Sequence, residues 1–136
     1  MSDVWITLPV PPTPHAVQAV QLTFTADGAP ITALQMVISV DGITATVANN
    51  NTTVQDARTL GIALTSAGVG EVFTALLFGT LVNASFSSMT INNPVYLSST
   101  GYLTQTVPVT PNFYVICGKY LGANTVFINI SEPIQL

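Results

Sequence analysis

The stretch QMVISVDGITATV, residues 35–47, decides how this chain is read. Gln35 to Val40 is a short apolar run, Asp41-Gly42 interrupts it, and Ile43-Thr44-Ala45-Thr46-Val47 alternates apolar with polar. Alternation of period two sends successive side chains to opposite faces of a strand. Asp-Gly between two such runs supplies the positive-φ residue that a tight turn requires. The pattern predicts a β-hairpin. Working outward, Val20, Leu22 and Phe24 alternate with Gln21, Thr23 and Thr25, a half-buried strand closed by Ala26-Asp27-Gly28.

The same grammar continues downstream. Gly61 to Leu64 and Val72 to Phe78 flank the small-residue turn Ser66 to Gly70, and Val95-Tyr96-Leu97 and Tyr102-Leu103-Thr104 flank Ser98 to Gly101. Phe113 to Lys119 and Thr125 to Ile130 pair around Leu121 to Asn124. Asn49 to Thr53 reads as a polar loop, and Asp56-Ala57-Arg58 as a short helical turn or a bulge. Short strands separated by frequent turn signals predict an all-β fold, a small barrel or sandwich.

The first residues follow another rule. Pro9, Pro11, Pro12 and Pro14 fix φ and remove amide donors, so this segment reads as an extended polyproline-II arm. The chain divides into an arm, residues 1–17, and one β domain, residues 18–136. Trp5 and Ile6 are large apolar side chains that need something to dock on. Two destinations stand open: a partner, or the chain's own domain.

Charged residues make up 6% of the chain and hydrophobic ones 49%, against roughly 25% charged in an ordinary soluble domain. Ser, Thr, Asn and Gln replace the missing charge. A surface of hydroxyls, amides and apolar groups suits a protein largely covered by neighbours, because interface centres are depleted in charge. With two basic side chains and a net charge of −4, phosphate-led nucleic-acid binding is not expected. Nor is a basic membrane patch. Val72 to Val82 is the longest apolar stretch and falls short of the roughly 20 residues of a membrane span. No signal-peptide pattern opens the sequence.

Catalysis is not expected either. His15 is the one histidine and has no acid beside it, so a Ser–His–Asp or Cys–His constellation lacks its base. The lone Cys117 lies among Val115 and Ile116 and reads as a buried thiol. Asp27 and Asp41 each precede a glycine, where aspartate serves the turn. No metal-ligand cluster, cofactor motif or phosphate loop is present in the sequence. Tyr96, Tyr102, Phe113, Tyr114 and Tyr120 lie in or beside strands, where packing is the commoner use and a glycan-binding face the alternative.

The order of several segments carries a resemblance. Leu60-Gly61-Ile62-Ala63-Leu64 leads through a small-residue turn into a strand ending Gly79-Thr80-Leu81-Val82. Pro94-Val95-Tyr96-Leu97-Ser98, Gly101-Tyr102-Leu103-Thr104, the proline turn Val107 to Pro111, Val115 to Gly118, and Val126 to Pro133-Ile134 follow. From Ile31 to Leu136 this succession resembles the capsid-cement and head-decoration domain of tailed phages, which recurs as a module of head and tail fibres. The resemblance implies a β-tulip-like barrel, usually a homotrimer, seated on the outer capsid surface and clamping major capsid protein subunits against internal DNA pressure. It implies a virion location after synthesis in the host cytoplasm, and no catalytic residues. Some such proteins send an N-terminal arm to a capsid-protein edge, which makes Trp5, Ile6, Leu8, Pro9, Val10, Pro11, Pro12 and Pro14 the candidate capsid contacts. The alternative is a fibre module that binds host surface glycans, with Tyr102 and Tyr120 as the residues to test.

Overall fold

The computed structural model describes residues 19–136, so the proposed arm and its contact candidates, Trp5 to Pro14, lie outside the described residues. The strands are β1 Ala19–Ala26, β2 Met36–Ile38, β3 Thr44–Val47, β4 Gly61–Ala63, β5 Val72–Val82, β6 Pro94–Leu97, β7 Leu103–Thr104, β8 Phe113–Tyr114, β9 Ile116–Gly122, β10 Thr125–Asn129 and β11 Ile134–Gln135. Two short helical turns accompany them, α1 at Val54–Ala57 and a 3-10 turn at Ala84–Phe86. The all-β reading holds.

Nine strands form one sheet in the order β1-β3-β2-β4-β5-β10-β9-β6-β7, and β1 also pairs with β5. That second pairing closes β1, β3, β2, β4 and β5 into a ring. Beyond the ring, β10, β9, β6 and β7 continue the sheet from β5. β8 and β11 make a separate two-stranded piece.

Two cores follow from the pleat. Phe24, Ala26, Val37, Ala45, Ala63, Phe73 and Ala75 point into the ring, where Ile31 and Ala67 join them. Five alanines among nine buried residues show how narrow the ring is, since β-strand pleats alternate and a small ring admits few large side chains. The other face of the same strands carries Met36, Ile38, Ile62 and Leu76. These pack against Val95 and Leu97 of β6, Cys117 and Tyr120 of β9, and Val126 and Ile128 of β10. β2, β4 and β5 are thus buried on both faces, which explains why Met36–Ile38 and Gly61–Ala63 are apolar without alternation.

The predicted hairpins are present. Residues 35–47 form β2 and β3, with Val37 opposite Val47 and Ile38 opposite Thr46. Asp41 builds the turn: its Oδ1 accepts from the Ile43 and Thr44 amides at 2.9 and 2.8 Å, and its Oδ2 from Thr44 Oγ1 at 2.9 Å. Those amides hold its carboxyl well below the usual range, at about 2. A lowered pKa gives stability that is present above the unfolded-state value of roughly 3.9 and lost as pH falls through about 2. Between these pH values Asp41→Asn is expected to flatten the fall of the melting temperature. A chemical-shift titration placing Asp41 at an ordinary carboxylate value would contradict the turn geometry.

β4 and β5 pair as expected, Ile62 opposite Leu76, and β6 with β7, Tyr96 opposite Thr104. β9 and β10 meet across Ala123-Asn124, both at positive φ (52° and 58°), the geometry of a two-residue hairpin turn. The helical reading of residues 56–58 is met two residues early, in α1 at Val54–Ala57: Thr53 caps it by accepting from the Asp56 amide at 3.1 Å.

One expectation needs correcting and two need completing. Phe113 to Lys119 is not one strand: Phe113 and Tyr114 pair with β11, while Ile116 onward pairs with β6 and β10. The buried Val115 marks the break, its carbonyl accepting from the Leu97 amide at 3.1 Å. The polar loop at residues 49–53 contains a buried asparagine. Asn50 Nδ2 donates to the Leu97 carbonyl at 2.9 Å and the Asn50 carbonyl accepts from the Phe113 amide at 2.7 Å, tying β6 and β8 together. The third concerns β1, whose Phe24 is buried but whose Val20 and Leu22 are 38% and 50% exposed.

Cys117 is fully buried, and burial pushes its thiol up to about 12. Native protein is therefore expected to resist Ellman's reagent until it unfolds. Prompt labelling under native conditions would show that the β6–β9–β10 layer opens.

Candidate interaction surface

Three of the five acid side chains among the described residues, Asp41, Asp56 and Glu71, do local structural work. Besides Asp41, the Asp56 carboxylate accepts from the Thr52 and Thr53 hydroxyls at 2.6 and 3.0 Å, and Glu71 Oε1 from the Gly68 amide at 2.7 Å. No group of three or more metal-ligating side chains occurs among the described residues. No described helix is long and apolar enough to cross a membrane.

Aromatic side chains do not assemble into one open face. Tyr96, Phe113 and Tyr120 are buried. The Tyr96 and Tyr114 rings meet at a tilt of 54° with centroids 5.1 Å apart, and the phenol of Tyr120 accepts from the Asn124 amide at 3.0 Å to brace the β9–β10 turn. Tyr102 alone of the five is exposed. A recess of about 250 Å³ beside Asn50 is lined by Ser98, Ser99, Thr104, Thr106 and Asn112 with Val107 to Val109. It holds no titratable side chain, so hydrogen bonding is all it offers.

The largest chemical signal is an apolar sheet face that the described residues leave open. Its construction follows from register. Val20 of β1 lies opposite Phe78 of β5, and Phe127 of β10 lies opposite Thr80 of β5 and Lys119 of β9. Directly paired residues share a face, so these side chains stand together, away from the β9–β10 core residues Tyr120, Val126 and Ile128. The Phe78 and Phe127 rings meet edge-on at 5.2 Å. Next to them a shallow groove of about 310 Å³ is lined by Ile116, Gly118, Lys119, Leu121, Phe127 and Asn129. With Leu22 half exposed and Leu121 at 47%, the face runs across four adjacent strands, β1, β5, β10 and β9. The sequence reading did not find it. The available signal was the unbroken run Leu76-Leu77-Phe78, too apolar for a strand with one wet face.

No known protein-family model matches the chain, and no curated protein matches it. Among solved structures, the N base of the head fibre protein gp8.5 of bacteriophage phi29 is similar, at 14% identity and a TM-score of 0.47. The likeness covers 82% of this chain and 95% of that one. It is too loose to carry a role from one protein to the other.

Proposed function

We propose that this chain is a non-enzymatic structural protein of a phage virion, a capsid cement or decoration protein that binds the outer capsid surface and stabilises contacts between major capsid protein subunits. The observation that carries this reading is a chain with only 6% charged residues together with an apolar sheet face that the described residues leave open. Apolar side chains that gather on one open face mark a surface suited to a protein neighbour. The resemblance of Ile31 to Leu136 to the cement and decoration domain supplies the identity of the neighbours. Contacts made by apolar burial and amide or hydroxyl hydrogen bonds persist in salt, where ion pairs would be screened.

A homotrimer belongs to the proposal, because three copies acting together multiply a small contact free energy per subunit. The arm, residues 1–17, is the proposed reach toward the capsid protein. Quantitative mass spectrometry of purified particles tests the reading: copy numbers near that of the major capsid protein are expected. A few copies per particle would overturn it in favour of a fibre module. For the glycan-binding alternative the aromatic basis is thin. Tyr120 sits in the core, so Tyr120→Ala tests stability, and only Tyr102→Ala tests a surface contact.

A further inference from the structure

Among the described residues one buried side-chain polar atom lacks a hydrogen-bond partner, the oxygen of Asn50. Asn50 is 4% exposed, and its Nδ2 and backbone carbonyl are already engaged, with the Leu97 carbonyl and the Phe113 amide. Because Leu97 presents an acceptor, turning the amide over would set oxygen against oxygen, so the free atom is the acceptor Oδ1. Buried acceptors almost always find a donor. Asn50 also borders the recess between the β6–β7 turn and the loop that leads to β8.

The lining of that recess selects a chemical class. None of it is charged, so an anion would lose its hydration without a counter-charge, and a cation without a carboxylate. A wholly apolar ligand would strand the hydroxyls of Ser98, Ser99, Thr104 and Thr106 and the amide of Asn112. These groups both donate and accept. Thr104 Oγ1 accepts from the Thr106 amide at 3.1 Å, which orients it and leaves its own O–H to donate. The Asn112 backbone amide donates to the Val109 carbonyl at 2.8 Å, closing the turn that sets the apolar wall of Val107 to Val109 beside them. A volume of about 250 Å³ lies just below the roughly 300–1,000 Å³ of sites for drug-sized ligands, the scale of one sugar ring.

We infer that this recess binds a neutral sugar ring, one hydroxyl of which donates to Asn50 Oδ1. Further hydroxyls exchange hydrogen bonds with Thr104, Thr106 and Asn112, and the C–H face of the ring rests on Val107 to Val109. The inference stands on the orphaned acceptor and the uncharged lining, and does not rest on the virion reading.

The test is a nitrogen-15 NMR titration of the whole chain with methyl glucopyranoside, methyl galactopyranoside and N-acetylglucosamine in turn. Saturable millimolar shifts are expected with at least one, centred on the Asn50 side-chain amide and the backbone amides of Ser98, Thr104 and Asn112. Silence with all three would mean that water alone meets Asn50 Oδ1, and would overturn the inference. A saturable response of the same resonances to inorganic phosphate would overturn the neutral class.

Asn50 ties β6 to β8, so the variants are made elsewhere in the recess. Thr106→Val and Asn112→Ala are each expected to weaken binding roughly two- to tenfold, the worth of one hydrogen bond. Their thermal transitions, followed by far-ultraviolet circular dichroism, are expected to stay within a few degrees of the unaltered protein. Undiminished affinity in the double variant would overturn the inference. Loss of binding in Tyr102→Ala but not in the recess variants would also overturn it, moving the sugar to the exposed aromatic ring.

Discussion

Gly118→Ala is expected to destabilise the protein by more than the ~1–3 kcal/mol of ordinary over-packing. A Cβ at this position would stand 1.8 Å from the Phe127 carbonyl oxygen and 2.9 Å from its carbon. Both are backbone atoms of β10, and β10 is bonded on its far side to β5 from Val82 to Phe78. The strand cannot retreat without breaking that second ladder. The bend that brings β9 this close also seats Cys117 and Tyr120 in the core, so the damage spreads to both sides of the strand. Against a total stability of roughly 5–15 kcal/mol, such a loss takes a large fraction of the margin. Urea unfolding of Gly118→Ala beside Gly28→Ala provides the check, because a Cβ at Gly28 meets nothing within 4 Å and suffers only its positive φ. Equal midpoints for the two variants would mean that β9 and β10 are not packed as described.

Phe73→Ala ranks second, at about 3–5 kcal/mol. Phe73 is 1% exposed and packs inside the ring beside Phe24, with ring centroids 6.2 Å apart. Cavity costs depend on how far the surroundings collapse. Here five of the neighbours are alanines, which cannot extend into the gap, and they sit on strands closed upon themselves. The loss is expected near the upper end of the range, with cooperativity preserved because the larger core across β2, β4 and β5 remains. A loss below about 1 kcal/mol would show the ring interior to be loose, against the close packing expected of a protein core.

These two sites also show what was legible in the sequence and what was not. Hairpins announce themselves locally: Asp41-Gly42 and Ala123-Asn124 sit between runs that are adjacent in sequence and adjacent in the sheet. The pairing of β1 with β5 has no such mark, since Phe24 and Phe73 are brought together across 49 residues and only the shared interior selects them. The same holds for Asn50, polar by composition and loop-like in context, yet buried because β6 and β8 supply its hydrogen-bond partners. At the candidate surface, alternation in β1 was read correctly, but a period says which residues share a face and not whether that face is covered. Phe24, Leu22 and Val20 are in phase. Their burial differs because the ring covers one end of β1 and leaves the other open.

The ring also sets an order of events. Of the described strands β1 is made first, and it bonds to β3 only through Thr25 and Ala26, whereas its long partner is β5. Until synthesis has passed Gly79, the first strand has almost nothing to pair with. The β2–β3 hairpin and the β4 segment are complete by then, so closure is expected to be a late step that joins an earlier strand to structure already in place. Contacts so distant in sequence form slowly, because loop-closure entropy must be met before they contribute. Throughout that interval Val20, Leu22 and Phe24 are exposed on an unpaired strand. A nascent chain of this kind is most vulnerable to its own neighbours on the ribosome just before the ring shuts.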